Sequence, residues 1–174
     1  MMIGRPSNHV EYSLFETDWG WMGLAGSPAG LVAVALPALT REEVATALKG
    51  DDSSRSQNEV RFRELARKLS NYLAGKRVVF NDCIDLTMAT PFQRNVWTQT
   101  QCIPYGKSQS YSWIASHIGK PGASRAVGQA LGHNPLPIVV PCHRVVAADG
   151  SLGGFSGGLE IKKRLLKLEQ IPVQ

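Results

Sequence analysis

Cys142 is the side chain in this sequence best placed to do chemistry. It ends the apolar run Pro135-Leu136-Pro137-Ile138-Val139-Val140-Pro141, which three prolines stiffen, and His143 and Arg144 follow it directly. A thiol attacks carbon as its thiolate, so it needs a partner to take its proton. Adjacent side chains do not point at each other, which makes a bridging water the natural link between Cys142 and His143. The histidine then needs an acceptor for its other nitrogen, and Glu169 is the best candidate. It falls four residues after Leu165 and three after Leu166, on the flank of an apolar helix face. A carboxylate there is either buried with a partner or reaches out to water along its own stem, and taken alone the second is commoner. Frequency alone also favours a structural cysteine beside a surface histidine. A Cys-His-Glu set would equally serve a cysteine hydrolase with many turnovers. Cys83, Cys102 and Cys142 are odd in number and widely spaced, which argues against a disulfide framework. No Cys-x-x-Cys or His-x3-His spacing suggests zinc.

These residues need helices to hold them. Thr90-Pro91 is a strong helix start, a capping residue followed by proline at the first helical position. Phe92, Val96 and Trp97 would face inward, and Pro104-Tyr105-Gly106 would stop the helix. Tyr111, Ile114, Ala115 and Ile118 follow at i, i+3, i+4 and i+7. After the break Gly119-Lys120-Pro121-Gly122, Ser124 could cap a second helix with Val127, Ala130 and Leu131 inside. Two short helices around a glycine-bearing turn form the helix-turn-helix pattern. Arg125, Gly128, Gln129 and Gly132 share the outward face of its second helix. A helix-interior glycine costs roughly 1 kcal/mol against alanine. Two on one face suit either a groove wall of DNA or another helix of the same chain packed close. Asn134-Pro135 ends the helix and leads into the run that carries Cys142. Ala147 to Gly150 reads as a turn and Gly153 to Gly158 as a glycine-rich loop, without the strand context of a phosphate-binding loop. A last helix is expected over Leu159 to Gln170, with Ile161, Leu165 and Leu168 on its apolar side.

The first half reads differently. Val10 to Leu14, Trp21 to Ala25 and Leu31 to Leu36 read as strands of an antiparallel meander, with turns at Asp18-Trp19-Gly20 and Gly26 to Gly30. Thr40 and Glu43 have capping-box spacing before a helix ending near Leu48. Residues 50–57 look like a polar loop. Phe62, Leu65, Ala66, Leu69 and Leu73 make one helical stripe that Gly75 would end. Val78-Val79-Phe80 reads as a short strand and Asn81 to Ala89 as a linker, while the first eight residues should fray. An α+β chain is expected: an N-terminal α/β domain with an antiparallel sheet (1–87), and an α-rich, winged helix-turn-helix-like domain for DNA binding and catalysis (88–174). Charge divides the same way. Residues 1–87 hold 10 basic and 11 acidic side chains (net −1), and residues 88–174 hold 9 and 3 (net +6). A basic half suits a nucleic-acid-binding surface, or merely a solvated basic face. No apolar run approaches the roughly 20 residues of a membrane span, and the first residues lack a secretory-signal pattern. A cytoplasmic protein, nucleoid-associated through DNA, is expected.

Pro141-Cys142-His143-Arg144-Val145 resembles the active-site motif of the O6-alkylguanine-DNA alkyltransferases, the methylated-DNA–protein-cysteine methyltransferases. Thr90-Pro91-Phe92-Gln93, Val96-Trp97, Ile103-Pro104-Tyr105-Gly106, Ser110-Tyr111, Arg125-Ala126-Val127-Gly128, Asn134-Pro135 and Ser156-Gly157-Gly158 resemble further signatures of that family in order and spacing. The resemblance covers Thr90 to Glu169, and the first half is similar in outline only. It implies direct, single-use repair: an alkyl group passes from O6-alkylguanine in double-stranded DNA to Cys142, with no cofactor and no metal. It implies a water-mediated relay through His143 and Glu169, with Asn134 tying the helix-turn-helix to the nucleophile. Ser124, Arg125, Ala126, Gly128 and Gln129 would meet the minor groove, Arg125 filling the gap left by the flipped base. Tyr111 would crowd the 3′ phosphate and donate a proton to guanine. Leu131, Pro137, Val145, Phe155, Ser156 and Gly157 would line the base pocket. A monomer without an obligate protein partner is expected, with O4-alkylthymine a possible second substrate. Phe155 stands where the family often has tyrosine, and Thr100 where it has an apolar residue. The zinc ligands of some animal members have no counterparts here. Members that lack the cysteine only flag lesions, an alternative that Cys142 argues against.

Overall fold

The computed structural model describes residues 9–49 and 55–172. Within it the chain divides into two compact units, 1–85 and 86–174, and together they are mixed α+β. In the first unit, strands β1 (Glu11–Thr17), β2 (Gly20–Ser27) and β3 (Gly30–Ala38) form an antiparallel meander. Two-residue loops join them, because Thr17 pairs with Gly20 and Ser27 with Gly30. Strand side chains alternate between faces, so Tyr12, Leu14 and Ala25 share one face. There they pack with Val44 and Leu48 of α1 (Arg41–Lys49). The helix comes this close because position 23 is glycine: a Cβ there would lie 2.4 Å from Leu48 Cδ1. Met22 and Leu24 are fully buried on the opposite face, where Phe62 abuts Gly26 at the start of α2 (Arg63–Leu73). The Thr40/Glu43 capping box forms as its spacing predicts, at 3.1 and 3.2 Å.

Three expectations fail in this unit. Ser56–Gln57 is not loop but a short strand, β4, parallel to β1 at the sheet edge; residues 50–54 and 1–8 lie outside the described residues. Val78 to Phe80 forms no strand, and Val79 is exposed. The edge of β3 pairs a few residues later, where Leu31 N–H donates to Cys83 O (2.9 Å) and Asp85 N–H to Leu31 O (2.8 Å). Much of the expected linker is therefore sheet-bound. Three apolar residues make a weak strand signal when another segment satisfies the edge.

The second unit is built on helices. α3 (Pro91–Gln101) starts with a full capping box, Gln93 N–H to Thr90 Oγ1 at 3.2 Å and Thr90 N–H to Gln93 Oε1 at 2.9 Å. Thr100 is buried in it and donates to Val96 O (2.7 Å), which is how a hydroxyl fits an apolar position. α4 (Tyr111–His117) and α5 (Ser124–Gly132) form the helix-turn-helix, with Gly119 and Gly122 in left-handed conformation between them. Trp97 Nε1–H donates to Ala130 O (2.9 Å), joining α3 to α5. Ser124 does not cap α5: Ala123 holds the capping position, and Ser124 is the first helical residue. A two-stranded parallel pair, β5 (Gln109–Ser110) with β6 (Val145–Val146), ties the start of α4 to the residues just after the cysteine. α6 (Leu159–Leu168) ends two residues earlier than expected. Its buried face is also shifted: Lys162, Leu165 and Leu166 are fully buried, while Ile161 and Leu168 are only partly so. No helix among the described residues is long and apolar enough to cross a membrane.

Candidate active site and nucleic-acid interface

The run from Pro135 is folded back on itself by one side chain. Asn134 Oδ1 accepts from Leu136 N–H (3.0 Å), and its Nδ2 donates to Val140 O (3.0 Å) and to Cys142 Sγ (3.1 Å). Ile138 sits at φ +73°, a left-handed conformation that costs a β-branched residue about 1–3 kcal/mol. The surrounding hydrogen bonds, Val140 N–H to Leu136 O and Cys142 N–H to Val140 O, hold it there. Cys142, His143 and Arg144 then form a single 3₁₀ turn, all three buried.

Burial pushes the Cys142 thiol up, against the Asn134 hydrogen bond and the Lys162 charge, which favour the thiolate. Burial also pulls the His143 imidazole down, against the pull of Glu169, so the ring rests neutral. His143 Nε2 lies 3.0 Å from Glu169 Oε1. A carboxylate only accepts, so this bond assigns the ring proton to Nε2 and the lone pair to Nδ1, the nitrogen a base would use. Glu169 is 2% exposed, which overturns the reading of a carboxylate reaching to water. It is buried because four donors meet it: His143, Gly106 N–H (3.1 Å), and the Nε and Nη2 of Arg144 at 2.8 to 3.2 Å. Arg144 Nη1 further donates to Ile103 O (2.7 Å).

Sequence reasoning missed two charged residues here, Arg144 and Lys162. Lys162 stands three before Leu165 and four before Leu166, so the flank argument made for Glu169 applied to it equally. Its Nζ donates to the carbonyls of Val145 (2.7 Å), Leu152 and Gly154 (3.2 Å). Tyr111, whose hydroxyl burial makes harder to ionise, donates to the same Gly154 oxygen at 3.4 Å.

The structure thus joins Cys142, His143, Glu169 and Asn134 into one bonded group. Tyr111, Ser124, Arg125, Gly128 and Gln129 line a separate open concavity of about 530 Å³. At Gly132 an added Cβ would meet nothing within 4 Å, and at Gly128 it would meet only the Tyr111 ring at 3.7 Å. No second helix explains these glycines among the described residues, and the face is left open. Ala126 is half-buried, and Leu131 and Pro137 are buried in the packing around α5 and the cysteine run. Phe155 and Gly157 are half-buried and Ser156 is exposed. Their loop bonds to Lys162 and Tyr111 through Leu152 and Gly154. Among the described residues no group of three or more His, Cys, Asp or Glu is placed to hold a metal.

Residues 91–171 match the profile of the family described as "6-O-methylguanine DNA methyltransferase, DNA binding domain". A methylated-DNA–protein-cysteine methyltransferase of Mycolicibacterium paratuberculosis is 42% identical over 161 residues, 92% of this chain and 93% of the relative. One from Methanosarcina acetivorans is 43% identical over 162 residues, 91% and 97% of the two chains. Among solved structures, Mycobacterium tuberculosis OGT in complex with DNA superposes with a TM-score of 0.78 at 37% identity, covering 92% of each chain. The O6-methylguanine-DNA methyltransferase of Pyrococcus kodakaraensis gives 0.67 at 26% identity over 93% of this chain and 99% of its own.

Proposed function

From the premise that this chain belongs to the O6-methylguanine-DNA methyltransferase family, we propose that it repairs double-stranded DNA by moving the alkyl group of O6-alkylguanine onto Cys142, once per molecule. The observation that carries the reading is the buried thiol held by Asn134 beside a neutral His143 whose other nitrogen is bonded to Glu169. The thiol proton passes through a water to His143 Nδ1, and the resulting imidazolium is stabilised by Glu169. Sulfur attacks the carbon bound to O6. An S–C bond forms, the C–O bond breaks, and its electron pair goes to guanine. Guanine leaves poorly as an anion, so donors must meet it as charge develops. Tyr111 and the backbone N–H groups of the Phe155–Gly157 loop fill that role, and the thiol proton ends where the alkyl group was. The thioether cannot be hydrolysed back to the thiol, so catalysis stops after one event.

The concavity beside α5 suits the DNA groove, with Ser124, Gly128 and Gln129 close to the backbone and Arg125 entering the stack vacated by the flipped base. Ala126 supports that helix from behind, and Leu131, Pro137 and Val145 back the pocket. The working unit in this reading is a cytoplasmic monomer. O4-alkylthymine presents the same alkyl-on-oxygen chemistry and is the second candidate substrate.

Incubation with duplex DNA carrying O6-methylguanine should raise the intact mass by about 14 Da at Cys142 and by nothing in Cys142→Ala. Folded protein that binds the lesion without the gain would instead be a damage-flagging module, and repeated turnover would make it a hydrolase.

A further inference from the structure

α6 carries a lysine where its apolar face should continue. Lys162 is fully buried, and its partners are carbonyl oxygens rather than a carboxylate. Those carbonyls belong to two segments. Val145 begins β6, directly after the turn that holds Cys142, and Leu152 and Gly154 lie in the loop 147–158. Tyr111 packs onto the same loop: a Cβ at Gly153 would fall 2.5 Å from its hydroxyl, and its ring centre is 6.0 Å from the ammonium. Burying an ammonium without an opposing charge is unfavourable, and an apolar side chain would fill the same space at lower cost. A charge kept under such conditions beside a nucleophile points to use rather than packing.

We infer that Lys162 is a positioning residue for the transfer reaction: its ammonium pins the 147–158 loop to the strand following Cys142, and its charge favours the Cys142 thiolate. This rests on the alkyl-transfer reading above. The loop is the pocket wall in that reading, so its position sets how the alkylated base presents its carbon to sulfur. The titratable groups facing Lys162 are Cys142 and His143 from the 3₁₀ turn and Tyr111 from α4. Asp149 in the loop accepts from Ser151 N–H (2.9 Å), and Lys163 on α6 is turned to Glu160 (3.0 Å). Burial brings the Lys162 ammonium down to about 8, with the Cys142 charge acting the other way. The pin therefore weakens just above neutral pH.

Lys162→Met keeps the length of the side chain and removes its charge, and Lys162→Arg restores the charge. The parent is first shown to gain one alkyl group from duplex DNA by intact mass, since failure there refutes the transfer reading itself. Transfer from free O6-benzylguanine and alkylation of Cys142 by iodoacetamide are then followed from about pH 6.5 to about pH 9.5, with melting temperature as the control for folding. The Met variant should transfer roughly ten- to a hundredfold more slowly, and its Cys142 inflection should move to higher pH. The Arg variant should keep the parent inflection and recover part of the rate. A folded Met variant with the parent's rate and inflection overturns the inference. If the Met variant does not fold, the parent alone decides through amide exchange over 147–158, corrected for intrinsic rates. Lower protection at about pH 9.5 than at about pH 7 supports the pin, and equal protection overturns it.

Discussion

His143 gives its Nε2 proton to Glu169 and lies wholly out of water, so its charge state is linked to folding. Burial depresses the folded imidazole below its ordinary 6.5. At acid pH the unfolded chain takes up a proton that the folded chain refuses. The contribution of this residue is thus complete above about pH 6.5 and is lost as pH falls toward the lowered folded value. Urea unfolding should show stability falling between about pH 7 and about pH 5.5, with a shallower fall in His143→Gln. An equal slope in the two proteins would mean that the acid sensitivity lies elsewhere. The residues around this pair were unequally legible. Cys142, His143, Asn134 and Glu169 could be read because a nucleophile in a proline-stiffened run demands a base, an orienting group and an anchor. Arg144 and Lys162 could not, because charge on an amphipathic element reads by default as its solvated side. Only their burial, and the carbonyls and carboxylate that satisfy them, reveals otherwise.

Elements were legible where local chemistry fixes them. The capping boxes at Thr40 and Thr90 formed as spaced, and the stripe of α2 lies in the core as its period requires. Capping failed as a guide at Ser124, where Ala123 takes the position before the first helical residue. The strand expected at Val78 failed because partner choice at a sheet edge is a tertiary matter. α5 was read correctly as a helix, but only the structure decides between the two explanations of its glycines. Alanine at position 128 would gain helix propensity of up to about 1 kcal/mol, and its Cβ would touch Tyr111 at an ordinary 3.7 Å. Gly128→Ala should therefore melt at a higher temperature yet bind duplex DNA more weakly, measured by fluorescence anisotropy on the same preparation. A variant that is more stable and binds as well as the parent would remove this face from the interface.

At the scale of the whole molecule, charge and chemistry are segregated together. The unit of residues 86–174 contains every residue of the candidate site and an excess of six basic side chains over acidic ones. Each cation that neutralises a phosphate releases counterions, so binding must weaken as salt rises. If four such contacts form, affinity for duplex DNA should fall about a hundredfold between about 50 mM and about 200 mM salt. Salt-insensitive binding would leave the basic excess without a role in the interface. The division into a sheet unit and a helical unit was foreshadowed by composition, because net charge and hydrophobic period change at nearly the same place in the chain.

Trp97 gives this arrangement an optical consequence. Its indole N–H is bonded to Ala130 O on α5, deep in the helical unit and out of water. Indole emission shifts when that hydrogen bond lengthens or water enters. Any tilt of α5 on meeting DNA, and any strain passed through Asn134 when Cys142 gains its alkyl group, falls within one helical turn of the chromophore's partner. The molecule carries its own light source at the joint between reading and reaction, and the colour of that emission reports which stage has been reached.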